Sequence, residues 1–298
     1  MSRNWHLPIW LMVTTLLLSA CGAATVTATS TAAVPQEFDG ERAYQDVANQ
    51  MQFGPRVPGS LAHQETQDYI SSELKQVGWQ VEVQNTTYEN HPVQNIVAKR
   101  GDSTSPVILG AHYDSRMHAD QDPNPTLHDQ PVPGADDGAS GVAVLLEIAR
   151  VLPQSQKNVW LVFFDSEDQG EISGWDWLLG STDYANSLPV TPQAVVVVDM
   201  IGDADLNVYR ETTSTRTLSD QIWQTAVSLG YSGQFIDQEK YAMLDDQTPF
   251  LNRGFPAVDI IDFDYPYWHT TADTLDKVSA NSLEVVGKTL LAWLAEKQ

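Results

Sequence analysis

Cysteine is almost absent from this sequence, since Cys21 is the only one among 298 residues. A single thiol cannot form an intramolecular disulfide. Because Cys21 lies in the N-terminal segment, the globular body also has no thiolate to act as a nucleophile or a metal ligand. A metal bound by the body would therefore need nitrogen and oxygen ligands.

Basic residues are scarce as well. The chain has 16 lysines and arginines against 39 aspartates and glutamates, which gives a formal net charge of −23. Nucleic acids and anionic membrane surfaces are poor partners for such a body. The acidity fits a cationic substrate, and it fits equally well the solubility of an exported protein.

The apolar stretch at the N terminus, from Leu7 to Leu18, is too short to span a bilayer comfortably. With Arg3 in front of it, the stretch is typical of a targeting peptide. The residues Leu18-Ser19-Ala20-Cys21 resemble a bacterial lipoprotein processing site, which implies removal of residues 1–20 and lipidation of Cys21. We therefore expect an exported, membrane-anchored lipoprotein on the outer face of the cell membrane. An ordinary secretory peptide, cut after an alanine, is the alternative.

The remaining chain divides by composition into a tether and a body. Residues 21–36 are mostly small and polar, without periodicity, and predict a flexible tether. Residues 37–298 contain no second linker of that kind, and their length fits one domain. We expect this domain to be the catalytic one.

Apolar, strand-like runs alternate with helical patterns along the body. Val159–Phe164 and Val195–Val198 are continuously apolar, as in strands buried on both faces of a parallel sheet. We therefore predict an α/β fold with a mostly parallel central sheet and helices on both faces. Further strands are predicted at Trp79–Val83, Asn95–Lys99, Val107–Leu109 and Ala257–Ile261. Helices are predicted from Asp39 to Met51, Ser60–Val77, Ala139–Leu152, Leu218–Leu229, Pro249–Asn252 and Ser282–Glu296.

Five short segments of the body carry residues that can bind a metal ion: His112, Asp137, Glu167-Asp168, Asp199 and His269. Each segment follows or lies near a strand-like run. Because the carboxyl ends of parallel strands meet at one edge of a sheet, we expect these side chains to gather there. Imidazole and carboxylate groups are zinc ligands, so the pattern predicts a site for one or two zinc ions.

The adjacent acids Glu167 and Asp168 are the hardest of these segments to explain without a cation, because two buried carboxylates repel each other. We assign Asp168 to the metal and Glu167 to general acid/base chemistry. A solvated turn is the alternative for this pair, and a simple helix cap is the alternative for Asp137. Asp114, two residues after His112, is predicted to hold the other ring nitrogen of that histidine.

The order of these segments resembles that of the co-catalytic zinc aminopeptidases and their relatives, the glutaminyl cyclases, over roughly residues 40–295. The resemblance implies that Asp137 is a ligand shared by two zincs. It implies that Asp168 and His269 complete the zinc site that cyclases retain, whereas His112 and Asp199 belong to the second zinc of aminopeptidases. Glu167 resembles the general acid/base of both. The family has Glu-Glu where this chain has Glu167-Asp168, and the shorter aspartate draws the metal closer to the strand end.

Several features resemble the cyclase branch. The segment after Asp168 is long and carries Trp175 and Trp177, Trp268 directly precedes His269, and Leu244–Gly254 resembles a cyclase Asp-Asp-His-x-Pro-Phe segment. Two features resemble aminopeptidases instead, because Gln247 replaces the cyclase histidine and the residues after His269 read Thr-Thr-Ala-Asp-Thr. The balance favours a cyclase.

A cyclase would convert the N-terminal glutamine of peptides or proteins to pyroglutamate and release ammonia. The resemblance implies that Asp199 and Asp246 lie beside Glu167 near the departing nitrogen. Trp175 and Trp268 would form the wall of the substrate pocket, unless they only pack in the core. Two alternatives remain open: an aminopeptidase with two zincs, and an inactive surface lipoprotein that binds peptides.

Overall fold

A six-stranded sheet forms the centre of the body, in the order β1-β2-β4-β3-β5-β8. The structure is a computed structural model that describes residues 1–2, 37–156 and 158–297. The strands are β1 (Gln80–Tyr88), β2 (His91–Lys99), β3 (Val107–His112), β4 (Val159–Phe164), β5 (Ala194–Asp199), β6 (Val208–Arg210), β7 (Phe235–Glu239) and β8 (Ala257–Ile261). Strands β4, β3, β5 and β8 run parallel, whereas β1 and β2 form an antiparallel hairpin that pairs with β4. The predicted α/β fold with a mostly parallel sheet is therefore confirmed.

Helices cover both faces of this sheet. They are α1 (Gly40–Phe53), α2 (Leu61–Gln76), α3 (Ala139–Val151), α4 (Leu179–Ser187), α5 (Arg216–Ser228), α6 (Thr248–Asn252) and α7 (Ala280–Ala295). Each face of the sheet has its own hydrophobic core, and successive residues of β4 point alternately into one and the other. Leu161 belongs to the core with α3 and α7, and Val162 belongs to the core with α4 and α6. This period of two explains why the strand is apolar throughout.

Local signals in the sequence explain where several helices begin. The side chain of Asp39 accepts a hydrogen bond from the backbone N–H of Arg42 and caps α1. Ser60 accepts one from His63 and caps α2. Both residues satisfy amide groups that the first turn of a helix leaves free.

The prediction missed α4 and the small parallel pair formed by β6 and β7. Helix α4 has little amphipathic pattern, and its N-cap residue, Leu178, adopts a left-handed conformation without a side-chain cap. Strand β6 is only 3 residues long. Helices α5 and α7 begin two residues before the predicted starts, because their first two residues are not buried and add nothing to the apolar periodicity.

The described residues from 37 onward form one compact unit. The predicted targeting peptide, the lipidated Cys21 and the tether fall on residues 3–36, outside the described residues. Within the part of the chain that is described, no helix combines the length and apolar character that crossing a membrane requires.

The topology brings the predicted ligand segments to one edge of the sheet. His112 is the last residue of β3 and Asp199 is the last residue of β5. Glu167 and Asp168 follow the end of β4 within a few residues, and Asp137 lies just before α3. His269 lies in the loop after β8. The carboxyl-end rule for parallel sheets accounts for this meeting point.

Candidate metal centre

Asp137, Asp168 and His269 form one buried triad whose candidate ligand atoms lie within 4.8 Å of one another. The Nε2 atom of His269 is 2.8 Å from Oδ1 of Asp168 and 3.8 Å from Oδ2 of Asp137. Among the described residues, Oδ2 of Asp137 and Oδ2 of Asp168 have no hydrogen-bond partner although both are buried. Buried carboxylate oxygens without partners are expected where a cation binds.

A second triad, formed by His112, Asp137 and Asp199, shares the carboxylate of Asp137. The Nε2 atom of His112 lies 3.1 Å from Oδ1 of Asp137 and 3.1 Å from Oδ1 of Asp199. One oxygen of Asp137 thus faces His112 and the other faces His269. Two imidazoles and three carboxylates form a donor set that suits zinc, so the residues present fit one metal ion or a bridged pair.

The pKa values of both histidines and of Asp168 are raised. Burial disfavours the charged imidazolium of His269, but the charge of Asp168 and hydrogen bonding with Asp120 outweigh it and raise the pKa of His269 to about 9. Burial likewise opposes the charge on His112, and the carboxylate of Asp199 still raises its pKa well above the usual value. Burial raises the pKa of Asp168 to about 6. In the absence of a metal ion, protons take the place of the cation.

Glu167 lies beside the triads and is buried. Burial and the neighbouring charge of Asp168 raise the pKa of Glu167 well above its ordinary value. Its Oε2 atom is 3.9 Å from Nδ1 of His112. A carboxyl group with a raised pKa, next to a candidate metal site but outside both triads, is suited to accepting and releasing a proton during a reaction.

Asp114 holds the loop that carries Glu167 and Asp168. Its carboxylate accepts hydrogen bonds from the backbone N–H groups of Glu167 (3.1 Å) and Asp168 (3.3 Å), and from the side chain of Gln169 (3.0 Å). Nδ1 of His112 is 3.5 Å from Oδ1 of Asp114, so this carboxylate faces the ring nitrogen that the sequence assigned to it. Burial opposes the charge on Asp114, but its interaction with His112 lowers the pKa of this carboxyl. The orientation of His112 by Asp114 stays a prediction, and the structure adds the support of the loop as a second role.

The loop from Arg116 onward holds His269 from the other side. Oδ1 of Asp120 lies 3.4 Å from Nδ1 of His269, and the backbone N–H of Gln121 donates to the carbonyl of His269 at 3.2 Å. Arg116 donates to both oxygens of Asp120 and to the carbonyl of Asp168 at 2.9 Å. The guanidinium group of Arg116 therefore connects the loop of Asp168 directly, and the loop of His269 through Asp120.

A cavity of about 220 Å³ opens onto both triads. This volume is below the range of about 300–1,000 Å³ that is usual for drug-sized ligands, so the cavity suits a single side chain. Its walls combine the polar centre with apolar and aromatic groups: Asp137, Glu167, Asp168, Trp177, Asp199, Met200, Met243, Leu244, Asp245, Ile261, Phe263, Trp268 and His269.

The aromatic wall differs from the prediction at one position. Trp268 stacks on His269 with 3.8 Å between ring centroids, and Trp177 stacks on the same imidazole at 6.1 Å. Trp175 instead stacks on His91, with centroids 3.7 Å apart, and is not among the residues that line the cavity. Gly170 leaves room for Trp177 at the cavity, because a Cβ atom at residue 170 would lie 2.0 Å from the ring of Trp177.

The acidic wall contains the pair Asp245-Asp246. Asp245 lines the cavity, and Asp246, the predicted catalytic residue, is fully buried beside it. In addition to burial and the charge of Asp168, the charges of both carboxylates raise the pKa of Glu167, and the catalytic role of Asp246 stays a prediction. Burial and the charge of Asp245 raise the pKa of Asp246 well above its ordinary value. Burial and the charge of Asp199 raise the pKa of Asp245 to about 7. The sequence identifies this pair of acids, but it does not predict which of the two lines the cavity.

The other histidines lie away from the triads. His63 is buried with Nε2 2.8 Å from Asp165, and His128 lies 2.8 Å from the carbonyl of Asp122. Sequence reasoning missed Arg116, Asp120 and a buried arginine, Arg56, that contacts the Asp137 loop. No local pattern marks these residues, because each acts on a loop that is distant in sequence.

Comparison with known proteins agrees with this geometry. The sequence model described as peptidase family M28 matches residues 95–294. The chain belongs to peptidase family M28. The glutaminyl-peptide cyclotransferase of Boiga irregularis is 25% identical over 288 residues, covering 81% of this chain and 77% of that protein.

Solved structures of the family match the fold closely. The glutaminyl cyclase of Tannerella forsythia aligns with a TM-score of 0.82 and 34% identity, covering 88% of this chain and 100% of that one. A Zn-dependent exopeptidase from Parabacteroides distasonis aligns with a TM-score of 0.82 and 33% identity, covering 88% and 99%. The family therefore includes both reactions that the sequence suggested, and the predicted family is confirmed.

We expect Zn²⁺ binding to the metal-free protein to release protons and to become tighter as pH rises. Because the pKa of His269 is raised to about 9, its imidazole carries a proton at pH 7 that a metal ion must displace. Between pH 6 and pH 8 the affinity should rise about tenfold per pH unit for each proton released. Calorimetry in buffers of different ionisation enthalpy counts these protons.

His63→Gln is the matched control, because this buried histidine lies outside both triads. The variant should release the same number of protons as the unmodified protein. Equal Zn²⁺ affinity at pH 6 and pH 8, without any buffer dependence, would contradict the expected protonation of the site.

Proposed function

We propose that this protein is a zinc-dependent glutaminyl-peptide cyclotransferase. The observation that carries the proposal is the setting of the Asp137-Asp168-His269 triad, whose imidazole stacks with the rings of Trp177 and Trp268 at the wall of a small cavity. Aromatic walls limit the access of water. This matters because water attacking the same carbonyl would give deamidation instead of ring closure. The similarity to glutaminyl cyclases over most of the chain supports the same conclusion.

In this reaction the α-amine of an N-terminal glutamine attacks its own γ-carboxamide carbon. A zinc ion held by Asp137, Asp168 and His269 would supply Lewis-acid polarisation of that carbonyl. Glu167 takes the proton from the attacking amine and passes it to the departing nitrogen, so that a C–N bond forms, another breaks, and ammonia leaves. Asp199 and Asp245, on the same cavity wall, accept hydrogen bonds from the two nitrogens.

A zinc aminopeptidase is the second candidate function. The intact triad of His112, Asp137 and Asp199 favours it, because a shared carboxylate between two metal sites is what a two-metal hydrolase needs. In that case Glu167 deprotonates the attacking water. The third possibility from the sequence, an inactive peptide-binding lipoprotein, is disfavoured because every residue of both triads and Glu167 is present and buried.

Replacing Glu167 by Gln should reduce ammonia release from Gln-peptides by at least about 100-fold, because the amide cannot carry the proton. Zinc binding should change little, since Glu167 lies outside both triads. The assay follows ammonia and N-terminal blocking on Gln-peptides, and leucine release from Leu-anilides in parallel. Glu171→Gln, an exposed position on the same segment, is the control and should keep full activity.

Leucine release without any blocking of Gln-peptides would overturn the cyclase proposal in favour of the aminopeptidase. Unchanged turnover of both substrates by Glu167→Gln would overturn both enzymes.

Replacing Asp245 by Asn should lower kcat more than replacing Asp246 by Asn, because only Asp245 lines the cavity. Losing a hydrogen bond to a charged group corresponds to about a 10- to 100-fold decrease. Asp246→Asn should leave kcat within a few-fold and should not lower the unfolding temperature, since it removes a buried carboxylate whose oxygens lack hydrogen bonds in the described structure. Equal losses of kcat in the two variants would argue against Asp245 as the catalytic member of the pair.

We also propose that the protein is anchored in the outer face of the cell membrane through a lipid on Cys21. The support is the sequence Leu18-Ser19-Ala20-Cys21 and the tether-like composition of residues 21–36. One acyl chain binds a bilayer only weakly, so stable anchoring requires the several chains of a bacterial lipoprotein.

The variant Cys21→Ser should lose the lipid and move from the membrane fraction to the soluble fraction. Mass spectrometry of the mature N terminus and partition into detergent test this directly. An unmodified protein that is soluble and cut after an alanine would show an ordinary secretory peptide instead.

A further inference from the structure

Arg56 is a fully buried guanidinium group in the segment between α1 and α2. Its Nε donates to the carbonyl of Tyr113 at 3.0 Å, and Nη1 donates to the carbonyl of Pro133 at 3.0 Å. Its Nη2 donates to the carbonyl of Gly134 at 2.6 Å and to that of Asp137 at 3.3 Å. The side chain therefore connects the end of β3 with the loop that carries the shared ligand of the two triads.

The partners of this cation are carbonyl dipoles. Among the described residues, Arg56 forms no ion pair within 4.0 Å. Burial lowers its pKa, and the charges of Asp273 and Asp137 oppose that effect. Arginine nevertheless stays protonated in proteins. A buried cation is costly to a fold unless its hydrogen bonds are satisfied. The four carbonyl groups satisfy the guanidinium of Arg56, and the guanidinium in turn fixes the backbone segments that carry them.

The backbone of the Asp137 loop is held from two sides. Arg56 binds the carbonyls of Gly134 and Asp137, while the carboxylate of Asp273 accepts from the backbone N–H groups of Asp136 (2.9 Å) and Asp137 (3.3 Å). Asp273 lies four residues after His269 in the same loop. The position of Asp137 is thereby fixed relative to both of its triads.

Gly134 shows how closely the guanidinium approaches the loop. Its φ is +74°, and a Cβ atom on it would lie 2.5 Å from Nη2 of Arg56 and 2.4 Å from the carbonyl oxygen of Asp137. A larger residue would break the contact. The glycine thus allows a cation to sit directly beneath the ligand loop.

We propose that Arg56 is a positioning residue for the metal centre, which holds the Asp137 carboxylate between the two triads so that each oxygen faces a different one. This inference rests on the proposed function in one respect, that Asp137 binds zinc. Arg56 does not touch the cavity and acts only through the loop.

The test compares Arg56→Met and Arg56→Lys with matched variants of Arg100. Arg100 is also buried and also donates to backbone carbonyls, those of Leu152 (2.8 Å), Val77 (3.0 Å) and Ala149 (2.8 Å). The carbonyls of Ala149 and Leu152 lie at the opposite end of α3, which is about 20 Å long, and that of Val77 lies at the end of α2. Arg100 therefore reports the cost of losing a buried arginine away from the site.

Zn²⁺ affinity is measured by competition with a chromophoric chelator, and the ligand geometry by the visible absorption spectrum of the Co²⁺-loaded protein. Arg56→Met should weaken Zn²⁺ binding by about 10- to 100-fold, as expected when a residue that orients a metal ligand is lost. It should also alter the Co²⁺ spectrum. Arg56→Lys should recover part of the affinity, because an ammonium keeps the charge but cannot reach all four carbonyls. Both Arg100 variants should lower the unfolding temperature and keep the unmodified affinity and spectrum.

If Arg56→Met does not fold, Arg56→Lys provides the same comparison with a milder change. Folded Arg56 variants with unchanged Zn²⁺ affinity and Co²⁺ spectrum would overturn the proposal, as would an equal loss of affinity in the Arg100 variants. The readouts do not depend on turnover. A protein without cyclase activity whose Zn²⁺ affinity still depends on Arg56 would refute the proposed reaction and leave the role of Arg56 standing.

Discussion

Crowding of negative charge at one edge of the sheet is the constraint on which the rest of the structure depends. Asp137, Glu167, Asp168, Asp199 and Asp245 are all buried around one cavity. Such a set is tolerated only if protons or a cation offset the charge. Burial first, and then the neighbouring charges, raise the pKa values of Glu167, Asp168 and Asp199. Burial opposes the charge on His112 and His269, but the carboxylates that face them raise the pKa values of both imidazoles. The same crowding that is unfavourable without a cation suits the site to a divalent ion.

The fold supplies positive charge and N–H groups around this cavity without filling it. Arg116 donates to the backbone of the loop after β4, and Arg56 donates to the backbone of the loop before α3. Asp114 and Asp273 then use their carboxylates to bind the amide groups of the same loops. Each ligand loop is thus held at its backbone by charged groups, while Oδ2 of Asp137 and Oδ2 of Asp168 have no hydrogen-bond partner among the described residues.

The parts of this structure that the sequence predicts well are those with one dominant local cause. The strands Val159–Phe164 and Ala257–Ile261 have the predicted bounds, because a strand buried on both faces must be apolar throughout. The ligand residues meet because parallel strands end at a common edge. In the tryptophan pair the sequence pointed to Trp175, whereas Trp177 lines the cavity. The directions of these two side chains depend on the conformation of their loop, which includes positive φ angles at Glu171 and Leu178 that no glycine signals.

The ligands and their supports are widely separated along the chain. Arg56 contacts Asp137, His112 faces Asp199, and Asp137 faces His269, so that every pair joins distant segments. Bringing such segments together requires most of the loop-closure entropy to be overcome first. The site is therefore incomplete in any partly synthesised chain that stops before residue 269. The Asp137-Asp168-His269 triad can take up a metal ion only after His269 has joined the fold, in the compartment where the chain completes its folding.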